Sequence, residues 1–271
     1  MHMKNSSKPY QTGVAANFIN EKLAGGFASF SLDELIAKTG LSVIAAKNQL
    51  LRLGDRVTRV SPRHQYFLII TPEHRSFGAP PVDWWLGDYM LWLGHPYYLG
   101  LQSAAMTFGS SQQAIQETQV MTDIPRREII IGRIRIRFFM KTGIEKSLVQ
   151  QLPGAYAPLK VSTPETTSFD LVRYAHYLGG IERAAETILT MLPSLKAKAF
   201  KQVLDAEREI TTAQRFGYIL EAMGAASLAQ EVRDWLPAKL PNILLSVHVD
   251  GDKLATANPT WCVINNAGYS L

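Results

Sequence analysis

A single cysteine, Cys262, among 271 residues rules out an internal disulfide and a cysteine-built metal cluster, and it fits a reducing compartment. No apolar run reaches the roughly 18 residues that read as a membrane helix, and the N-terminus has no apolar signal core. The expectation is a soluble, cytoplasmic protein with no membrane partner. Catalytic signatures are scarce too. There is no Gly-rich loop ending in Lys and Ser/Thr to cradle phosphates and no His-Glu-x-x-His, and the histidines at 64, 74, 95, 176 and 248 are scattered. Asp83, Asp88 and Asp123 would form a site only if folding brought them together. No cofactor, metal or enzymatic activity is therefore expected. The competing reading is a nucleotide- or RNA-modifying enzyme with a regulatory DNA-binding domain, and it rests only on a C-terminal region larger than a dimerisation module needs.

What the chain does have is a hydrophobic content of 46%, ample for real cores, and an uneven charge. Residues 1–75 carry ten Lys/Arg against five Asp/Glu, whereas residues 76–271 carry 18 of each. The whole basic excess lies in the first quarter of the chain. Association with phosphate depends on local charge, so this asymmetry points to nucleic acid more strongly than the overall pI does.

Within that quarter, Ser31 followed by Glu34 reads as a capping box opening a helix with Leu32, Leu35 and Ile36 on its apolar side. Gly40 ends it. Gly40-Leu41-Ser42 is a three-residue turn of the helix-turn-helix kind, and Ser42 is a good N-cap for a second helix over 43–53. Two strands follow, around Val57–Val60 and Tyr66–Ile70, joined by Ser61-Pro62-Arg63-His64, so the pattern is a winged helix. On a helical wheel Val43, Ala46, Leu50 and Leu53 share one side, leaving Ala45, Asn48, Gln49 and Arg52 opposite, with Lys47 flanking. Asn and Gln match adenine edges and Arg matches guanine. Arg56, Arg59, Arg63 and His64 of the wing suit phosphate or minor-groove contact. The candidate DNA contacts are thus Ser42, Lys47, Asn48, Gln49, Arg52, Arg56, Arg59, Arg63 and His64.

A first helix over 12–25, with Val14, Phe18, Ile19 and Leu23, is expected to pack behind this motif. The Pro- and Gly-rich stretch 71–81 reads as a linker, giving a winged helix-turn-helix domain over 1–78 and a C-terminal domain over 79–271. The fold class is α+β, the second part being a larger mixed α/β domain that ends in a helical array. In that part, helices are expected over 84–93 and after Gly100, and strands over 116–121 and 128–131. Gly132 then opens a strand of strict alternation, with Ile134, Ile136 and Phe138 inward and Arg133, Arg135 and Arg137 outward. With Arg126, Arg127 and Lys141 these form a second basic surface. An acidic helix of the same chain, DNA, RNA or a protein partner would each answer it. Ser162-Thr163-Pro164-Glu165 combines a cap, a helix-starting proline and an early carboxylate, and Asp170 and Arg173 are expected to form ion pairs. Helices over 181–192, 195–210, 214–223 and 228–235 follow, and strand character returns over 243–249 and 261–265.

The order of these features resembles the AbiEi family, the antitoxins of the type IV AbiE toxin-antitoxin systems. The likeness is carried by the N-terminal winged helix, Phe77-Gly78-Ala79-Pro80-Pro81, His95-Pro96-Tyr97-Tyr98-Leu99-Gly100-Leu101, Ser103-Ala104-Ala105 and Val120-Met121-Thr122-Asp123. Its most specific part is Ser162-Thr163-Pro164-Glu165-Thr166-Thr167 with Asp170-Leu171-Val172-Arg173-Tyr174, and Trp261-Cys262-Val263-Ile264-Asn265 closes it. The resemblance implies a repressor that binds its own promoter as double-stranded DNA and counters a nucleotidyltransferase-like toxin through the C-terminal domain, without an obligatory stable complex.

Overall fold

In the computed structural model, which describes residues 13–110, 117–153, 158–247, 249 and 256–267, the chain divides into two units. The first takes the residues up to Gly94 with Ile129–Arg135 and Pro153–Pro158; the second takes the rest. The first unit opens with α1 (Val14–Ala24), which turns Ala15, Phe18 and Ile19 inward. Next comes a strand that the hydropathy pattern does not announce, β1 (Ser29–Ser31). Ser31 Oγ accepts from the Glu34 amide at 3.1 Å and opens α2 (Leu32–Thr39). Gly40, at φ 67°, ends that helix in the left-handed region, where a residue without Cβ meets no clash. Ser42 Oγ then accepts from the Ala45 amide and opens α3 (Val43–Arg52).

Strands β2 (Val57–Arg59) and β3 (Tyr66–Ile69) join β1 in the order β1-β3-β2, with both pairings antiparallel. The central strand β3 is buried along its whole length because each of its faces meets a different layer. Phe67 and Ile69 join α1, α2 and α3 in one core, where Phe30 stacks on Phe67 at 5.5 Å and meets Phe18 edge-on at 5.3 Å. Tyr66 instead contacts Tyr89 and Trp92 of α4 (Leu86–Leu93). The stretch 71–81 is not a free linker. Phe77 O accepts from the Arg133 amide at 2.9 Å, and a Cβ on Gly132 would collide with that carbonyl, so this approach requires glycine. The first unit accordingly continues past Gly78 to Gly94.

The second unit contains β4 (Tyr97–Leu99), α5 (Leu101–Thr107) and β5 (Thr118–Thr122). Then come β6 (Ile129–Ile131) and β7 (Ile134–Met140), of which β6 and the first two residues of β7 fall in the first unit. β8 (Val149–Pro153) and β9 (Pro158–Ser162) follow. The strands run in the order β7-β5-β4-β9-β8; β5 is parallel to β7 and antiparallel to β4, and β4 is parallel to β9. The helical array is α6 (Pro164–Arg173), α7 (Ile181–Met191), α8 (Ala197–Glu207), α9 (Ile210–Ala222) and α10 (Ala226–Trp235). The single helix expected over 195–210 stops earlier, at Glu207. Arg208 takes a left-handed φ of 52° and a new helix starts at Ile210. The closing strands shrink to a two-residue parallel pair, β10 (Ile243–Leu244) and β11 (Val263–Ile264). The start of the expected first helix at Thr12, the start of the strand expected at Gln116, and His248 lie outside the described residues.

Helix α6 is the middle of this unit: every residue from Glu165 to Val172 is buried. A helix enclosed on all sides is usually apolar, yet this one carries Glu165, Thr166, Thr167, Ser168 and Asp170, and such groups must be satisfied internally. Thr163 caps the helix through the Thr166 amide. Thr167 donates to the Thr163 carbonyl and lies 2.7 Å from Ser162 Oγ, Ser168 donates to the Pro164 carbonyl, and Glu165 accepts from the Lys196 amide at 2.9 Å. Asp170 is answered by Lys141, which is 1% exposed. Its Nζ donates to Asp170 Oδ1 at 2.8 Å, to Glu207 Oε1 at 2.7 Å and to the Tyr98 hydroxyl at 3.0 Å. Burial, reinforced by Asp170, pushes the Tyr98 phenol well above its ordinary value, so it stays protonated and donates to Asp170 Oδ2. Arg173 pairs with Glu207 at 3.0 Å and Glu209 at 2.9 Å, so Asp170 and Arg173 do form ion pairs, but each with other elements.

Removing one partner of a buried ionic group strands the others. Lys141→Met is expected to lower the free energy of unfolding by about 3–5 kcal/mol, read from the urea midpoint, and adding Asp170→Asn should recover part of that loss. A Lys141→Met midpoint equal to that of the parent protein would remove the network from the account of stability.

Candidate functional site

Helix α3 presents Lys47, Asn48 and Arg52 to solvent, as its wheel predicts. Its apolar side is narrower than expected. Ala46 and Leu50 are buried, but Val43 is 49% exposed, and Ile44 and Leu51 stand out at 74% and 81%. Ala45 is half-buried. Ser42 is exposed, its Oγ committed to capping. Gln49 is half-buried and works inward: its Oε1 accepts from the Ala15 amide at 2.9 Å. α1 has no side-chain cap of its own, so Gln49 caps it across the fold.

The hairpin after α3 is more braced than its charge suggests. Arg59 is exposed, yet it donates to the Pro62 carbonyl and the Gln65 side chain and covers the Phe67 ring at 5.6 Å. Arg56 donates to Asn20 Oδ1 at 3.1 Å, and Arg63 is exposed. His64 departs furthest from expectation, because its Nδ1 lies 2.6 Å from the Tyr89 hydroxyl and its ring meets Tyr89 and Trp92. That places it in the aromatic cluster under β3, not at the tip of a wing.

The arginine strand is likewise divided. In the first unit Arg133 and Arg135 are exposed, and Arg133 lies over the Phe77 ring at 5.7 Å. In the second, Arg137 is half-buried, 3.6 Å from Glu117 and over the rings of Phe139 and Tyr177. Ile136 is buried as expected, but Ile134 and Phe138 are only half-buried, and Phe139, two residues on from Arg137, is buried. The face that strict alternation assigns to solvent therefore becomes a packed face further along the strand. Lys141 belongs to the core and drops out of the basic surface. Arg127 is exposed, and Arg126 is half-buried with Nε making no hydrogen bond among the described residues. Two stretches of the resemblance also meet: His95 Nδ1 lies 3.0 Å from Asp123 Oδ1. Burial acts to raise the Asp123 carboxyl, but the hydrogen bond and charge of His95 outweigh it and hold it below the usual carboxylate range. No group of three His, Cys, Asp or Glu among the described residues is placed to hold a metal ion.

Sequence reasoning missed the inward roles of Gln49, His64 and Lys141. The cue for Gln49 was faint, a first helix with no capping side chain of its own.

Residues 98–222 match the family described as AbiEi antitoxin C-terminal domain, a span that holds the buried helix α6 and the Lys141 network. The match supports an AbiEi-family antitoxin. The domain assigns it an antitoxin role in a toxin-antitoxin system, and the family is regulatory rather than enzymatic. No curated protein matches the chain. Among solved structures, the crystal structure of the RV2827C protein from Mycobacterium tuberculosis is similar with a TM-score of 0.65, covering 93% of this chain and 90% of that one at 13% identity. At that identity the likeness speaks for the fold alone. Among the described residues no helix is long and apolar enough to cross a membrane.

The inward role of Gln49 is testable apart from any ligand. Gln49→Ala removes the acceptor for the Ala15 amide and should cost about 1 kcal/mol of stability, measured by urea unfolding, whereas Asn48→Ala on the exposed face should cost less than half of that. Equal effects from the two would contradict the capping role.

Proposed function

We propose that the first unit is a winged helix-turn-helix that binds the promoter of its own operon and represses it, and that the second unit counters a nucleotidyltransferase-like toxin of a type IV system. The observation that carries the first half is the exposed row Lys47, Asn48 and Arg52 on a helix capped by Ser42, in the part of the chain that holds all of its basic excess. Asn can donate to and accept from an adenine edge, Arg can donate twice to guanine, and the projecting Ile44 and Leu51 suit thymine methyl groups in a major groove. Arg59 and Arg63 stand at the following hairpin as phosphate contacts. Ser42, Gln49, Arg56 and His64 are held by internal bonds and serve this surface by shaping it.

Gel shifts with the full chain on its own promoter test this reading. Asn48→Ala or Arg52→Ala should cost about 1–3 kcal/mol of binding and relax discrimination between promoter and unrelated duplex. Arg59→Ala or Arg63→Ala should weaken both duplexes alike and flatten the salt dependence by about one charge each. A promoter shift unaffected by all four substitutions would overturn the assignment of this surface.

The antitoxin half rests on the family match within the second unit, and its surface candidates are Arg126, Arg127, Arg133, Arg135 and Arg137. Replacing Arg133, Arg135 and Arg137 together by Gln keeps length and polarity and removes the charge. Co-expression with a cognate toxin should then show lost protection, while promoter binding and the thermal melt stay within error of the parent. Full protection by the triple variant would make the stripe a solvated face and nothing more.

A further inference from the structure

Under the sheet of the first unit lies a cavity of about 260 Å³ lined by Lys22, Phe27, Ser29, Ser31, Glu34, Tyr66, Asp88, Leu91 and Trp92. One half of it already shows how it treats a cation. The Lys22 ammonium lies 2.8 Å from Glu34 Oε1 and 4.2 Å from the centre of the Phe27 ring, seated between a carboxylate and an aromatic face. The other half offers the same two groups. Asp88 and Trp92 are four apart on α4 and so lie on one side of that helix, with Leu91 beside them at the mouth. Asp88 is half-buried and accepts no hydrogen bond among the described residues. Among the described residues Lys22 is the one cation lining the cavity, and it is paired with Glu34. The lining therefore carries one negative charge in excess beside an apolar rim in which Phe27, Leu91 and Trp92 are 43%, 79% and 38% exposed.

A carboxylate next to an indole face, partly withdrawn from water, selects an organic cation over an inorganic one, because the ring rewards a weakly hydrated charge and the rim rewards carbon. It disfavours anions, and a neutral molecule would leave the carboxylate desolvated without a partner. We propose that this cavity binds a small organic cation, an alkylammonium or alkylguanidinium, with its charge on Asp88 and its short apolar body along Trp92 and Leu91. The volume is just below the range of drug-sized pockets and suits a chain of a few carbons. Burial, opposed by Lys22 and assisted by Glu34, lifts the Asp88 carboxyl above the ordinary carboxylate value. The site touches α1 through Lys22 and α2 through Glu34, so a bound cation bears directly on the ion pair that joins those helices. The inference is independent of the DNA-binding reading.

The test uses the full chain with butylammonium and butylguanidinium chloride, against 1-pentanol and sodium butyrate at matched ionic strength, followed by calorimetric titration and thermal melts. Both cations should bind and raise the melting temperature, and neither control should. Asp88→Asn should weaken cation binding by at least about tenfold with its own unliganded melt near that of the parent. Trp92→Leu should weaken it less and keep the preference for cations. If Asp88→Asn proves unstable, the Trp92 indole resonance of the parent protein decides instead: it should move on addition of butylammonium and stay still with pentanol. Equal responses to pentanol, undiminished binding by a folded Asp88→Asn, or an unmoved Trp92 resonance would each overturn the proposal.

Discussion

The ammonium of Lys141, held between Asp170, Glu207 and Tyr98, is the constraint on which the second unit depends. It leaves the sheet from the position just after β7 and ties that edge to the enclosed helix α6 and to the end of α8. An ion this deeply buried is tolerable only when each donor and acceptor is matched, and here three donors meet three acceptors. The same demand explains the polar residues of α6. Thr166, Thr167, Ser168 and Glu165 are spaced so that each finds a neighbour in its own first turns or on an adjacent segment. The residues that carry the resemblance around α6 are thus largely those that let a polar helix sit inside a domain.

The first unit is organised differently, around a strand with two buried faces. β3 feeds Phe67 and Ile69 into the core beneath α1, α2 and α3 and sends Tyr66 toward α4, so the helical layer and the aromatic layer meet across one strand. Gln49 and the Lys22–Glu34 pair then fasten α1 to the two helices behind it. These inward uses of polar side chains leave a compact exposed row on α3, in which Lys47, Asn48 and Arg52 alternate with Ile44 and Leu51. A surface of that composition has little to gain from water and much to gain from a partner offering both polar edges and methyl groups, which is the physical basis of the function proposed for it.

Charge alone was a partial guide. Within the first 75 residues, which hold the excess, Lys47, Arg52, Arg59 and Arg63 stay on the surface while Lys22 and Arg56 are half-buried. Charge misled around residue 141. A lysine at the end of a strand of alternating arginines reads as one more surface cation, and only the arrival of Asp170 and Glu207 from 29 and 66 residues away turns it into a core residue.

Local signals in the sequence therefore determined the local structure. Ser31, Gly40, Ser42, Thr163 and Pro164 each set the start or end of a helix through bonds to residues within four positions, or through a backbone angle, and such effects act before any tertiary contact forms. The order of the helices at these caps was legible for the same reason, whereas the short strands β1, β4, β8 and β9, which carry no such local signal, were not. Tertiary structure alone decided which polar side chains face inward. Gln49, His64, Lys141 and Asp88 have partners or surroundings supplied by distant segments, and the sheet order that delivers those segments is set by burial summed over the whole unit rather than by any local pattern.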